Sequence, residues 1–416
     1  MEWIGEIPEN WNVSSIGRYT NLGRGRVISH LEIQENIGNF PVYSSQTENN
    51  GVMGFINTYD FEGEYVTWTT DGANAGTVSY RSGKFNCTNV CGTIQPRDDE
   101  QIVLRFLPYL LNLGTKFSVR LDINPKLMNN MMAKIPLVLP SKTEQTAIAS
   151  FLDRKTAEID QLIANKEKLI ALYEEEKTAI INRAVTRGLD PQVSTKPSGV
   201  DWLGDIPEHW EVKRLKYLTL ILNDGTHGTF KRTTLGYRLL SVRNIKNDEF
   251  VFLDDDSRIS EEDFDIITKP FLVKEGDLQL AIVGATLGKV AIVPELDEKF
   301  ATQRSVATIR TKKELIHNKF LFYFLKSSSF QSFLWLNAGF SAQPGIYLGS
   351  LANCHVPTPN LTEQAAIVVY IETECSRLDT IIDKFKKQIE LFKEYRTTMI
   401  SEVVTGKIDV RDEVAA

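Results

Sequence analysis

Trp3-Ile-Gly-Glu-Ile-Pro-Glu-Asn-Trp11 returns 199 residues later as Trp202-Leu-Gly-Asp-Ile-Pro-Glu-His-Trp210. A second phrase, Thr143-Glu-Gln145, returns 219 residues later as Thr362-Glu-Gln364, and Pro140 and Asp190 return as Pro359 and Asp409. The second copy therefore carries 20 more residues between its two phrases. Such a repeat means one structural unit written twice, and it governs how every other segment is read. Between the anchors the copies keep only traces of each other. Gly72-Ala-Asn-Ala-Gly76 stands opposite Gly284-Ala-Thr-Leu-Gly288, Thr93-Ile94 opposite Thr308-Ile309, and Leu107-Pro-Tyr109 opposite Leu321-Phe-Tyr323. Like frames with unlike contents suggest two sites that read two different things.

Each Thr-Glu-Gln phrase opens a long helical pattern. Residues 143–187 hold no Pro or Gly. Leu152, Ile159, Leu162, Leu169, Tyr173 and Ile180 recur at heptad intervals, with Lys166 and Glu176 at the missing positions. The second copy repeats the pattern at Ile371, Leu378, Ile381, Phe385, Phe392, Tyr395 and Met399, interrupted by Gln388. This is the signature of a coiled-coil seam. Thr143 or Ser141 supplies the helix start in the first copy and Thr362 in the second. A helix of about 44 residues is roughly 66 Å long, and propensity alone does not hold it in water, so each helix needs a partner for its seam. The two helices are each other's obvious partner, antiparallel, with a globular part at either end. The expected class is α+β, a pseudo-twofold tandem repeat of two globular α/β domains separated by two long antiparallel coiled-coil helices. The expected boundaries are 1–142, first globular domain; 143–187, first long helix; 188–200, linker; 201–361, second globular domain; 362–404, second long helix; and 405–416, tail.

The 416 residues exceed what one core organises, and 42% hydrophobic with 24% charged residues is the profile of an ordinary globular protein. No apolar run approaches the roughly 20 residues of a membrane span, and Met1-Glu2-Trp3-Ile4 lacks the pattern of a signal peptide, so a cytoplasmic protein is expected. Cys87, Cys91, Cys354 and Cys375 form no CxxC pair, which favours buried free thiols over a zinc site. The formal net charge is −7, which argues against a nucleic-acid partner. Residues 248–268, however, hold nine acids and one arginine, so the rest of the chain is +1. That stretch reads as a solvated loop or hairpin, or as a face turned away from phosphate or toward a basic partner protein.

Residues 13–139 and 212–358 read as short strands between Gly, Asn and Asp turns. Glu64–Trp68, Lys289–Val293 and Ser305–Ile309 are examples, with short helices near 103–113 and 318–336. The loops are rich in groups that read base edges and hold phosphates. In the first half the candidates are Arg24, Arg26, Ser44, Ser45, Gln46, Asn49, Thr70, Asn74, Lys84 and Asn89. In the second they are Asn223, Thr226, His227, Lys231, Arg232, Arg243, Asn244, Lys246, Lys289, Gln303 and Arg304. Polar loops also occur on any protein surface, so composition alone does not separate the two readings.

Catalytic signatures fail one by one. Gly284-Ala-Thr-Leu-Gly288-Lys289-Val290 has three intervening residues where a P-loop needs four, and ends in Val. No HExxH and no dinucleotide fingerprint occur. Asn124-Pro125 continues with Lys126, unlike the motif of amino-methyltransferases, and the five histidines show no triad or ligand spacing. Pro294-Glu-Leu-Asp-Glu-Lys299 echoes a nuclease pattern only loosely. No catalytic or metal-binding residue is assigned.

Together the opening motif W-[IL]-G-[ED]-I-P-x-x-W, the P-x-x-T-E-Q-x-A-I helix start (Pro140 to Ile148 and Pro359 to Ile367) and the order domain, helix, domain, helix resemble the specificity subunit of a type I restriction-modification system. Pro41-Val-Tyr-Ser-Ser through Asp71-Gly-Ala-Asn-Ala-Gly-Thr77, and Asp224-Gly-Thr-His227, resemble its two target recognition domains. The resemblance implies a non-catalytic DNA-binding subunit that reads a bipartite, asymmetric double-stranded target, one half-site per domain. The helices would set the unread spacer and dock two modification subunits that methylate adenine. S-adenosylmethionine, ATP and magnesium would belong to the partner subunits, restriction subunits among them, with no cofactor in this chain. The alternatives are a DNA methyltransferase or nuclease with built-in specificity, and a coiled-coil scaffold without a DNA role.

Overall fold

The computed structural model describes residues 3–46, 48–120, 124–340 and 343–414. The chain divides into two units, Met1–Glu167 with Lys386–Ala416, and Lys168–Phe385. The division falls inside both long helices, Lys142–Arg187 and Leu361–Val404. Each unit thus owns part of each helix, where the sequence pattern places the boundaries at the helix ends. Among the described residues no helix is long and apolar enough to cross a membrane.

In unit 1 a six-stranded sheet runs in the order Thr20–Arg24, Cys91–Pro96, Phe61–Thr69, Val78–Cys87, Ile37–Tyr43, Val52–Ile56. All neighbours are antiparallel except the 37–43 strand on 78–87. The central strand buries Val66 and Trp68 on one face, and Trp68 Nε1 donates to Leu127 O at 2.9 Å. Helix Leu107–Gly114 presents Leu107, Leu110 and Leu111, the i, i+3, i+4 stripe of a core-facing helix, to the same apolar cluster.

Unit 2 repeats the frame. Its main sheet begins Thr219–Asp224, Val306–Thr311, Leu278–Ala281, Val290–Ile292, the same antiparallel order as the first four strands of unit 1. A separate two-stranded pair closes each unit, 12–15 on 136–139 and 211–214 on 355–358. Between the first and third sheet strands unit 2 holds 53 residues against 36 in unit 1. They include strand Tyr237–Leu240, which pairs parallel with Phe300–Thr302 further along the chain, and helix Glu261–Thr268. The acidic stretch lies here, and it is built into the fold more than a solvated loop would be. Asp256 is buried and accepts from Leu253 N (2.8 Å), Asn244 Nδ2 (2.9 Å) and Arg238 Nη1 (3.0 Å). Glu261, Glu262 and Asp263 occupy the first helical turn, where the dipole favours anions. The helices expected near 103–113 and 318–336 are Leu107–Gly114, and Asn318–Lys326 with Ser328–Asn337.

Within each unit the helix halves pair antiparallel. In unit 1 Arg396 meets Asp160 at 3.1 Å and Lys166 Nζ donates to Gln388 Oε1 at 2.7 Å. In unit 2 Tyr173 packs on Phe385 and Lys177 pairs with Asp379. In both, partner numbers fall as residue numbers rise. The protected positions follow an unbroken 4–3 spacing: Leu152, Thr156, Ile159, Ile163, Lys166, Ile170, Tyr173, Lys177, Ile180 in one helix, and Ile371, Cys375, Leu378, Ile382, Phe385, Ile389, Phe392, Arg396, Met399 in the other. This corrects three expected seam residues. Leu162 (45% exposed), Leu169 (39%) and Tyr395 (59%) face outward, one place from the true positions, and Glu176 yields to Lys177. Ile381 is half-buried beside the buried Ile382.

The repeated phrases turn out to grip each other. Trp11 Nε1 donates to Glu144 Oε1 at 3.3 Å, and Trp210 Nε1 to Glu363 Oε1 at 3.0 Å. Ser141 caps the first long helix, its Oγ accepting from Glu144 N while Glu144 Oε2 accepts from Ser141 N, a capping box. In the second copy Asn360, not Thr362, accepts from Glu363 N at 2.9 Å. Gly188 and Gly406 end the helices in the left-handed region, at φ 73° and 76°, close against Trp210 and Trp11 respectively.

Candidate nucleic-acid interface

The unlike loops are carried by like backbone. After the first sheet strand of unit 1, Gly25 N donates to Cys91 O (3.0 Å) and Arg26 N to Cys87 O (3.1 Å). In unit 2, Gly225 N donates to Val306 O (3.0 Å) and Thr226 N to Thr302 O (2.8 Å). A Cβ on Gly25 would stand 2.2 Å from Cys87 O, and one on Gly225 2.1 Å from Thr302 O, so only glycine permits this approach. The loop is thereby pressed onto the turn 88–90, or 303–305. A third segment joins through Thr70 N to Val90 O (2.9 Å) and Ile282 N to Ser305 O (2.9 Å). It leads into the Gly72–Gly76 and Gly284–Gly288 loops, where Gly72 N donates to Pro125 O (3.0 Å) and Gly284 N to Pro344 O (2.8 Å).

These frames bring much of the candidate set together. In unit 1 Ser44, Ser45, Gln46, Asn74 and Asn89 line one concavity, together with His30 and Thr88. Asn74 Nδ2 donates to Ser45 O at 3.0 Å, and Arg24 Nε to Asn89 O at 2.6 Å, which ties the loops in two pairs. In unit 2 Asn223, Thr226 and His227 line one hollow, and His227 and Arg304 line another beside Gln343 and Tyr347. His227 Nε2 lies 2.7 Å from Asp224 Oδ2.

Other candidates do not join these surfaces. Thr70 and Asn244 are fully buried and are corrected to structural roles. Thr70 spans two loops through its backbone, and Asn244 closes a capping box with Ser241 and holds Asp256. Lys84 lies over the Tyr59 ring at 4.4 Å, near Glu62. Arg26 is held between Glu32 (2.7 Å) and Asp60 (2.9 Å), and Arg243 pairs with Asp255 and Asp256, so neither offers a full charge to phosphate. Lys231, Arg232, Lys246 and Lys289 are exposed outside the concavities, Arg232 donating to Phe230 O. Asn49 sits in the left-handed region at φ 48°, next to Asn50 at φ 55°.

The sequence reading passed over Arg81, which holds that strained pair. Arg81 is buried, stacks 3.8 Å from the Tyr43 ring centroid and donates to Asn50 Oδ1 at 2.9 Å. Burial pushes its guanidinium below the ordinary arginine value, against the opposing influence of Tyr43 and of Cys87 and Cys91. Its position mid-strand gave no signal, because alternation alone does not say which strand residue underlies a loop. Of the four thiols Cys87, Cys91 and Cys354 are buried and Cys375 half-buried at a seam position. Among the described residues no group of three acidic, His or Cys side chains could hold a metal ion.

A family model described as the type I restriction modification DNA specificity domain matches residues 8–171 and again 207–391. Over 134 residues the chain is 53% identical to a type I specificity subunit N-terminus from Mycoplasma pneumoniae, a match covering 32% of this chain and 71% of that protein. Further specificity subunits of that organism are spanned over 43% to 55% of their own length. The specificity subunit of the type I restriction enzyme MjaVIII from Methanocaldococcus jannaschii is 26% identical over 422 residues, 98% of this chain and 95% of that one. A solved structure, from work on complex assembly and conformational transition of the type I R-M system, covers 97% of this chain and 100% of its own. Its TM-score is 0.74 at 12% identity, a likeness of fold.

Proposed function

Because the chain belongs to the family of type I restriction modification DNA specificity domains, matched over both of its halves, we propose that it is the DNA sequence-specificity subunit of a type I restriction-modification complex. Each unit reads one half of a bipartite target, and the two halves differ in sequence. The observation that carries this reading is the paired frame: the same hydrogen bonds place Arg24-Gly25-Arg26 and Thr88-Asn89 in one unit where Asp224-Gly225-Thr226 and Gln303-Arg304 stand in the other. A frame kept while its hydrogen-bonding side chains change suits direct readout of two unlike base sequences.

In this reading the chain itself does no bond-making chemistry. Two modification subunits bring S-adenosylmethionine and methylate adenine, and restriction subunits bring ATP and magnesium. The paired helices set the unread spacer and dock the modification subunits. Leu162, Leu391 and Tyr395 in unit 1, and Leu169, Leu172, Val369 and Tyr370 in unit 2, lie exposed on the long helices and support that docking role. The acidic total and the internally paired Arg26 and Arg243 mean that much of the cationic attraction to DNA comes from partners, since affinity for the duplex follows clustered cations.

The test is to exchange residues 13–139 for the first domain of another family member and map methylated adenines in cells that also carry the modification subunit. One half-site changes and the other stays. A change in both halves, or no sequence-directed methylation with the native chain, defeats the proposal.

A further inference from the structure

Tyr347 stands 78% exposed on a stretch of chain that is held on both sides. Before it, Gly284 N donates to Pro344 O (2.8 Å), Val283 and Gly345 form an isolated antiparallel bridge, and Ile346 N donates to Ile282 O (3.0 Å). After it, Tyr347 O accepts from Leu351 N (3.0 Å) in helix Leu348–Ala352. Among the described residues neither its ring nor its hydroxyl has a hydrogen-bond or ring partner. The helix does not account for a tyrosine here. An N-cap favours Asp, Asn, Ser or Thr, whose side chains reach the free amides of the first turn. Tyr347 occupies that place at φ −77° and ψ 143° and makes no such bond.

Unit 1 repeats the backbone with a different side chain. Leu127 N donates to Thr70 O (2.9 Å), Met132 N donates to Met128 O (2.9 Å), and Met128 is the N-cap at φ −79° and ψ 164°. Met128 is half-buried where Tyr347 is exposed. The surroundings of Tyr347 point to its ligand, for it lines one hollow with Asp224, His227 and Arg304. Arg304 is exposed, and among the described residues its guanidinium has no ion pair, unlike Arg26 and Arg243. A free cation at this place suits the phosphates of a duplex. A tyrosine ring beside it offers a large contact with few torsions to order. The major groove presents one apolar group to such a ring, the thymine 5-methyl.

Resting on the DNA-reading function proposed above, we propose that Tyr347 is a specificity-determining residue of the second half-site, its ring packed on a thymine methyl. The experiment uses the full chain assembled with its modification subunits, native or carrying Tyr347→Ala or Tyr347→Phe. Genome methylation by the native complex gives the target, and the exchange of residues 13–139 tells which half belongs to unit 2. Each thymine of that half is then replaced by deoxyuridine, which lacks only the methyl. One such replacement weakens binding by the native complex roughly fourfold, the worth of one buried methyl group. The same replacement changes binding by the Ala variant less than about twofold. The methylation map of the Ala variant relaxes at that base pair, and the Phe variant keeps the native map. The melting temperature of the Ala variant shifts by less than about 2 °C, because the ring it removes is exposed. A second half-site without thymine overturns the inference, as does native binding that no deoxyuridine weakens, or an Ala variant that keeps the native map. A Phe variant that behaves like the Ala variant overturns it, since the hydroxyl is then the contact. Loss of assembly with the modification subunits by the Ala variant overturns it, since the ring then meets protein. If the native chain directs no sequence-specific methylation, it is the DNA-reading function that has failed, and the inference falls with it.

Discussion

Replacing Gln145 by Ala removes a side chain whose every hydrogen-bonding atom is engaged. Gln145 is fully buried. Its Nε2 donates to Gln101 O (2.9 Å) and Pro140 O (3.0 Å), and its Oε1 accepts from Val103 N (2.9 Å). Gln364 repeats the set with Leu315 O (3.1 Å), Pro359 O (2.8 Å) and His317 N (2.7 Å). The substitution strands three backbone groups, each at about 1–3 kcal/mol when buried and unpaired. Water entering the vacated polar space recovers part of that, so the expected loss is about 3–5 kcal/mol. For a unit of this size the melting temperature falls by roughly 2–4 °C per kcal/mol, hence about 10 °C. Hydrogen exchange read by mass spectrometry locates the loss. Gln145→Ala loosens the amides of 91–139, and Gln364→Ala those of 306–358. A loss below about 1 kcal/mol from either, or loosening of the wrong unit, would refute the claim that this repeated glutamine pins each globular half to its helix.

The seam register predicts that Ile163→Ala costs roughly 2 kcal/mol, while Leu162→Ala changes stability by less than about 0.5 kcal/mol; the reverse order in urea denaturation would restore the register first read from sequence. Burial pushes the Glu144 carboxyl up, but hydrogen bonds from Ser141 and from Trp11 Nε1 outweigh it and hold it below its ordinary value. The stability it contributes is therefore present above the unfolded glutamate pKa, about 4.3, and lost as pH falls toward the lower folded value. Glu144→Gln should flatten that acid limb, and an unchanged limb in a melting series from pH 6 to pH 3 would count against it. Lengthening both long helices by one heptad preserves the seam and adds roughly 10 Å of helix; a methylation map with an unchanged spacer would remove the spacing role proposed for them.

Much of the fold was legible because duplication wrote it twice. The two phrases marked the helix starts, and the Pro- and Gly-free stretches marked the helices, since both signals are local. The register slipped because Leu162 stands beside Ile163, and Leu169 beside Ile170. Two adjacent apolar residues fit a heptad equally well, and only their burial in the paired helices decides between them. The interface was legible as loops and not as residues. Thr70 and Asn244 look like any polar turn residue, and only the fold shows that they serve the interior. Arg81 was invisible for the opposite reason. It sits in a strand, and strand pairing over dozens of residues decides which loop it underlies.

The close approach at Gly25 and Gly225 bears on how such a protein changes its target. Where a carbonyl oxygen already fills the space of a side chain, the main-chain path has no latitude, so novelty is confined to the residues on either side. Arg24, Arg26 and Asn89, or Asp224, Thr226 and Arg304, can be exchanged for other polar side chains while the scaffold beneath them stays put. The same tightness forbids insertion. An added residue there would lever the turn at 88–90 or 303–305 out of place and displace its neighbours with it. Preferences should therefore drift by replacement at constant loop length.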